Sequence, residues 1–264
     1  MKRSVIALEW KLNRRGWCIS SAVVVAFLAM FAGVADLYTN NEDIVRLIES
    51  YPPAMLAAVG IDPIALTTFE GWMSTQPYTF YILLLGVFGA MWAATSIAKE
   101  RDRETAEWLF ALPYSRSQIF LSKVGAHWLQ VTGIYLLSAA VALGFGYATT
   151  DVRSPGVVAL FLTAGYLVAL AFSGVGFALT AAFRSERSAN SAAVGLVVVS
   201  FALNMLNGMH ESVAWLAKLS LFQAFDRSRI LADAALTPSG LVVTVMIYVA
   251  GVTLGWIMLR RQDV

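Results

Sequence analysis

Six stretches of the chain carry no Asp, Glu, Lys or Arg: 16–35, 71–98, 124–150, 154–183, 188–209 and 234–259. Each reaches the ~20 residues that a helix needs to cross ~30 Å of hydrocarbon. An open strand would leave backbone N–H and C=O groups unpaired in lipid, so these runs read as helices. Composition agrees. Of 264 residues, 58% are hydrophobic and 14% charged, with mean hydropathy +0.67. A soluble domain carries about 25% charged residues, so this chain cannot solvate its own surface in water. The expected fold is an all-α polytopic membrane protein. Its spans lie near 17–37, 78–98, 118–147, 157–183, 189–208 and 238–259, within a six-span domain covering 16–264.

Basic residues set the orientation. With the N-terminus in the cytoplasm, only Arg46, Arg153, Lys218, Arg227 and Arg229 fall outside; the other Lys and Arg lie inside. The inside is then net basic and the outside net acidic. The expectation is a multi-pass protein of the cell membrane with both termini cytoplasmic.

The N-terminal residues MKRSVIALEWKLNRR do not read as a cleavable signal, because a long mixed segment precedes a run long enough to span. Val5, Leu8 and Leu12 share one side of a helix, and Lys11, Arg14 and Arg15 lie mostly away from it. Residues 1–15 are expected to form an amphipathic helix in the membrane surface, with Trp10 at the headgroups. Glu9 intrudes near the apolar side.

The charged stretch between the second and third runs, AKERDRETAEWLFALPYSRSQIFLSK, is also greasy. Good helix formers run from Glu100 to Leu112. Trp108, Leu109 and Leu112 form an apolar patch at helical spacing. Pro113 ends the segment. Ser115 and Gln118 fit a capping box that opens the third span. This describes a knob too small to fold alone, or an ordinary loop whose Trp and Phe dip into the interface. The residues by themselves weigh the two equally.

The order Glu100, Thr105, Leu109, Leu112-Pro113, Ser115-Arg116, Ile119 and Lys123 resembles the loop between spans two and three of type-2 ABC exporter permeases, the ABC-2 family. The segment from Trp215 to Asp226 is similar to that family's outer pattern ahead of span six. Glu104 stands where the family usually has Gly, and Leu221 where it usually has Pro. The resemblance implies a short cytoplasmic coupling helix seated in a groove of a separate ABC ATPase. Two ATPase copies would bind ATP and Mg, and their closure would tilt the spans. Trp108, Leu109 and Leu112 would plug the groove. Glu100, Arg101, Arg103, Glu104 and Glu107 would belong to the same contact, and Arg184, Glu186 and Arg187 to a second, smaller one. The second contact reads equally as a solvated basic turn. Six spans make half of the family's usual twelve, which implies a second permease copy or a paralogue.

The residues place the motor elsewhere on independent grounds. A phosphate-binding P-loop needs Gly immediately before its Lys. The lysines here follow Met1, Trp10, Ala98, Ser122 and Ala217. The chain therefore reads as a transport subunit, not an enzyme, with the lipid bilayer as partner and no nucleic acid. Cys18, His127 and His210 supply no recognised metal-site spacing, and no cofactor is expected in this chain.

Weaker signals remain. Gly251 and Gly255 form a GxxxG whose expected use is packing within one subunit. Gly144, Gly146, Gly174 and Gly176 mark bends or close contacts. Asn204 and Asn207 are candidate substrate contacts, set against the commoner role of interhelical hydrogen bonding at ~0.6 kcal/mol each. His127, Trp128 and Gln130 read as interfacial anchors. The first outer segment, 36–76, resembles the family's small outer gate, and the second, 210–233, is expected to dip back toward the membrane; the two either close the exit or lie as helices on the outer surface. Two other function classes stay in view. An ion- or proton-coupled carrier would place ionisable groups inside the spans. A rhomboid-like intramembrane enzyme built on Ser173 would need a His in the sixth span, which has none.

Overall fold

The computed structural model describes residues 3–39, 46, 50–52, 55, 67–102, 114–183, 185–207 and 215–261. In chain order the helices are α1 (Arg3–Gly33), α2 (Ala35–Thr39), α3 (Phe69–Ser74), α4 (Gln76–Asp102), α5 (Arg116–Thr149), α6 (Pro155–Ala182), α7 (Glu186–Met205), α8 (Arg227–Asp233) and α9 (Pro238–Arg261). A 3-10 turn, Leu221–Gln223, precedes α8. Among the described residues there is no strand. Six helices, α1, α4, α5, α6, α7 and α9, are long and apolar enough to cross a bilayer. The chain is an all-α polytopic membrane protein.

One boundary differs from expectation. Residues 3–15 and the first span form a single helix, α1, with no break at 15/16. No proline interrupts it, and a side chain at Gly16 would meet nothing within 4 Å. Its 31 residues extend over about 46 Å, more than the hydrocarbon thickness, so one end projects beyond it. The other five spans extend up to four residues beyond their expected starts and ends, apart from small losses at the ends of α6 and α7.

Local chemistry sets the helix ends. The capping box forms at α5: Gln118 N–H donates to Ser115 Oγ at 3.2 Å, and Ser115 N–H donates to Gln118 Oε1 at 3.3 Å. Lys99 and Arg101 occupy the last turn of α4, where cations offset the helix dipole. At the start of α6 the Ser154 side chain makes no cap bond. The buried Glu70 carboxylate accepts from Ser154 N–H instead. That places an anion beside a helix N-terminus, the favourable arrangement.

α6 is the hub and the most buried span. It packs most extensively on α4 and α9, while α1 runs lengthwise along α5. A side chain on Gly174 would strike the Tyr248 backbone, and one on Gly251 would strike Gly174. The GxxxG of α9 is thus spent on packing within the chain, as small residues permit. Tyr135 Oη bonds Thr163 Oγ1 at 2.9 Å and Tyr166 Oη bonds Thr132 Oγ1 at 2.8 Å, tying α5 to α6.

The start of α1 and the last turns of α9 lie at one end of the bundle. Ser4 Oγ bonds Tyr114 Oη at 3.2 Å near the start of α5, and Trp256 Nε1 of α9 donates to Ser117 Oγ at 2.9 Å. The opposite end is aromatic. Tyr38 stacks on Trp72 with centroids 4.3 Å apart, and Trp72 Nε1 donates to Phe31 O at 2.8 Å. Phe27, Phe80, Phe201 and Phe222 continue the contacts ring to ring. The 220–225 segment folds back onto α7: Ser220 Oγ donates to Ser200 O at 2.6 Å, and Phe222 and Phe225 are buried. Arg227 Nη1 rests 3.4 Å from Ser74 O; desolvation lowers its guanidinium below the ordinary arginine value, opposed by Tyr78 and Asp226. Most of the expected first outer gate lies outside the described residues.

Candidate functional site

At the N-terminal end, four charges from three helices close on one another. Lys123, one turn past the capping box of α5, bonds the Glu9 carboxylate of α1 and lies 3.1 Å from Glu100 Oε1 at the end of α4. Lys99 Nζ lies 3.3 Å from Glu9 Oε2 and from Asn13 Oδ1. Asn13 Nδ2 donates to the same Glu9 oxygen. The Lys123 side chain is 1% exposed and that of Glu9 6%. Charges this buried are tolerated only when paired and hydrogen-bonded. Two cations and two carboxylates meet that condition, and the sum is neutral.

The intruding Glu9 is thereby explained. It sits on the apolar side of its helix because its partner lies inside the bundle. Helical spacing carries the polar stripe further along α5. Lys123, His127 and Gln130 fall at i, i+4 and i+7, and all three are buried. His127 Nε2 lies 2.9 Å from Gly89 O, its ring meets Phe177 edge-on at 5.1 Å, and Gln130 O accepts from Trp17 Nε1 at 2.9 Å. His127 and Gln130 are therefore interior groups and not interfacial anchors; only Trp128, 45% exposed, faces outward.

The cluster stands at both roots of the 103–113 segment. Lys99 and Glu100 precede it and Lys123 follows it. Beside the cluster, a cavity of about 820 Å³ opens between α1, α4 and α7. Glu100, Glu186 and Arg187 all line it, so the two expected contact loops reach one place. Arg101 is half-buried next to Glu100. Arg103, Glu104, Glu107, Trp108, Leu109, Leu112 and Arg184 lie outside the described residues.

The expected substrate contacts fall near the other end. Asn204 is buried and its Oδ1 accepts from Gln223 Nε2 at 2.6 Å, so it fastens the 220–225 segment to α7. Asn207 is exposed. Ser173 donates its hydroxyl to Ala169 O at 2.8 Å in a fully buried position.

Sequence reasoning quoted Glu100 and Lys123 without pairing them, and it missed Glu9 and Lys99. One signal pointed to the cluster: a lone acid, Glu9, on the apolar side of α1; Lys99 carried none, lying among other charges at the end of α4.

A family model described as an ABC-2 family transporter protein matches residues 4–264. The chain belongs to the ABC-2 transporter family, whose members are membrane-embedded permease subunits of ABC transporters. No curated protein matches the chain in sequence.

Proposed function

We propose that this chain forms the substrate pathway of an ATP-driven exporter and is worked from its N-terminal end by a separate ATPase. The observation that carries this reading is the buried cluster of Glu9, Lys99, Glu100 and Lys123. It joins α1, α4 and α5 through residues on both sides of the 103–113 segment. A push on that segment then moves three spans together instead of bending one.

Trp108, Leu109 and Leu112 supply the apolar contact with the ATPase. Arg101, Arg103, Glu104 and Glu107 form its charged rim, and Glu100 anchors the rim to Lys123. Arg184, Glu186 and Arg187 make the second contact. ATP and Mg bind in two ATPase copies. The cluster end faces the cytoplasm in this reading, which the distribution of Lys and Arg supports. A second permease copy completes the pathway. The reason is that six spans are half of the twelve that this family usually assembles.

Trp108→Ala and Leu112→Asp test the contact in the co-expressed complex. Loss of an interface anchor typically costs about 2 kcal/mol, or roughly thirtyfold in affinity. Both variants should insert normally and lose most of the co-purifying ATPase. Undiminished co-purification in both would overturn the reading.

A further inference from the structure

The cations at the N-terminal end fall into two groups. Lys99 and Lys123 are paired with Glu9 and Glu100 inside the bundle. Lys11, Arg14 and Arg15 are exposed on α1, and none of them makes an ion pair among the described residues. We infer that this exposed face of α1 binds anionic phospholipid in the leaflet it adjoins. The inference goes beyond the permease reading and needs only that α1 spans the bilayer.

Depth is the first argument. From Gly16 to Gly33, where α1 ends, the helix runs without a charge, over about 27 Å. That is no longer than the ~30 Å of hydrocarbon, so Arg15 sits at its edge. Arg14 lies beside it, and Lys11 is four helical steps further out, about 6 Å. A headgroup layer is roughly 5–8 Å thick, so the three cations lie within one.

Direction is the second argument. Glu9 is the only acid in Arg3–Gly33, and it is buried against Lys123 and Lys99. Nothing on the helix therefore offsets the three cations. Positions 11, 14, 15, 18, 19 and 22 share one face at helical spacing. Beyond Arg15 that face continues as Cys18, Ile19 and Ala22, all exposed. Because α1 has no break at 15/16, the basic and apolar parts form one strip. A phospholipid matches the strip from head to tail, with its phosphate against Arg14 and Arg15 and a chain along Ile19 and Ala22. Arg grips phosphate with two parallel hydrogen bonds, and Lys adds a point charge. A zwitterionic lipid carries its own ammonium, which the three cations repel. Free phosphate has no tail for the apolar part.

Cys18 gives the test its probe, being the chain's one cysteine and exposed on the strip. The purified chain, with a bimane on Cys18, is reconstituted in phosphatidylcholine vesicles. Quenching by a small mole fraction of brominated phosphatidylglycerol is divided by that from the same fraction of brominated phosphatidylcholine. The ratio should be about fivefold higher at Cys18 than at Leu129→Cys on a Cys18→Ser background, an outward position on α5. Fivefold is the factor that one basic residue typically adds near an anionic surface. Lys11→Gln, Arg14→Gln and Arg15→Gln together should bring the two positions level. Arg14→Lys with Arg15→Lys keeps the charge and should keep most of the ratio. In 1 M salt, where the Debye length is about 3 Å, the ratio should collapse. Equal ratios at the two positions, or a ratio that the three Gln substitutions leave unchanged, overturns the inference. So does loss of the ratio in millimolar inorganic phosphate at constant ionic strength, which would assign the cations to a free anion. No ATPase is present, so failure here leaves the coupling contact untouched, and failure of the coupling contact leaves this face standing.

Discussion

At the N-terminal end, α1, α4 and α5 meet through Glu9, Lys99, Glu100 and Lys123. At the opposite end, α1, α4 and α7 meet the 220–225 segment through Phe27, Phe80, Phe201 and Phe222. Ion pairs in a buried site are directional and fail sharply when one partner is removed. Ring contacts are worth about 0.5–1.5 kcal/mol each and tolerate sliding. One end is therefore held by contacts that fix geometry, and the other by contacts that accommodate change. That is the division that the proposed coupling at the charged end calls for.

The largest effect should come from breaking the charged end. Lys123→Met leaves Glu9 and Glu100 facing one lysine, and should cost about 3–5 kcal/mol, read as a fall in the thermal unfolding midpoint in detergent. A loss no larger than that of an exposed charge would remove the distinction between the ends. Next in size, Gly251→Leu forces a side chain into the Gly174 backbone. It should cost about 1–3 kcal/mol by overpacking, with α9 detaching from α6 in hydrogen exchange. At the aromatic end, Phe222→Leu nearly conserves volume and should cost under about 1.5 kcal/mol in the same melting assay. A larger loss there would mean that the rings lock that end as firmly as charges lock the other. The smallest change expected is Tyr135→Phe, which removes one bond between α5 and α6 for about 0.6 kcal/mol.

The sequence displayed the helices and concealed their partnerships. Charge-free runs announce spans because lipid demands them, and Ser115 and Gln118 announce the start of α5 because a capping box is local. The continuity of α1 through residue 16 was hidden, since a surface helix and a projecting one share the same amphipathic pattern. Glu9 was visible as an anomaly only. Its meaning depends on Lys123, more than a hundred residues away, and one sequence holds no record of that proximity. His127 and Gln130 were misread for the same reason. A polar residue early in a span can face headgroups or the interior, and the face is decided by the packing of α5 against α1 and α4. Asn204 could be read either way from the sequence, and Gln223 shows which contact it makes.

The central claim is that this chain changes conformation only when a second chain spends nucleotide on its charged end. Cysteine accessibility at the cavity tests this directly. Thr95→Cys on a Cys18→Ser background is reconstituted in proteoliposomes, and its labelling by a membrane-impermeant maleimide is timed. With the ATPase partner present, ATP should change the rate about tenfold, a shift of ~1.4 kcal/mol between facing states. ATP or an ion gradient applied to the chain alone should change nothing. A rate that responds to an ion gradient without the partner would contradict the account.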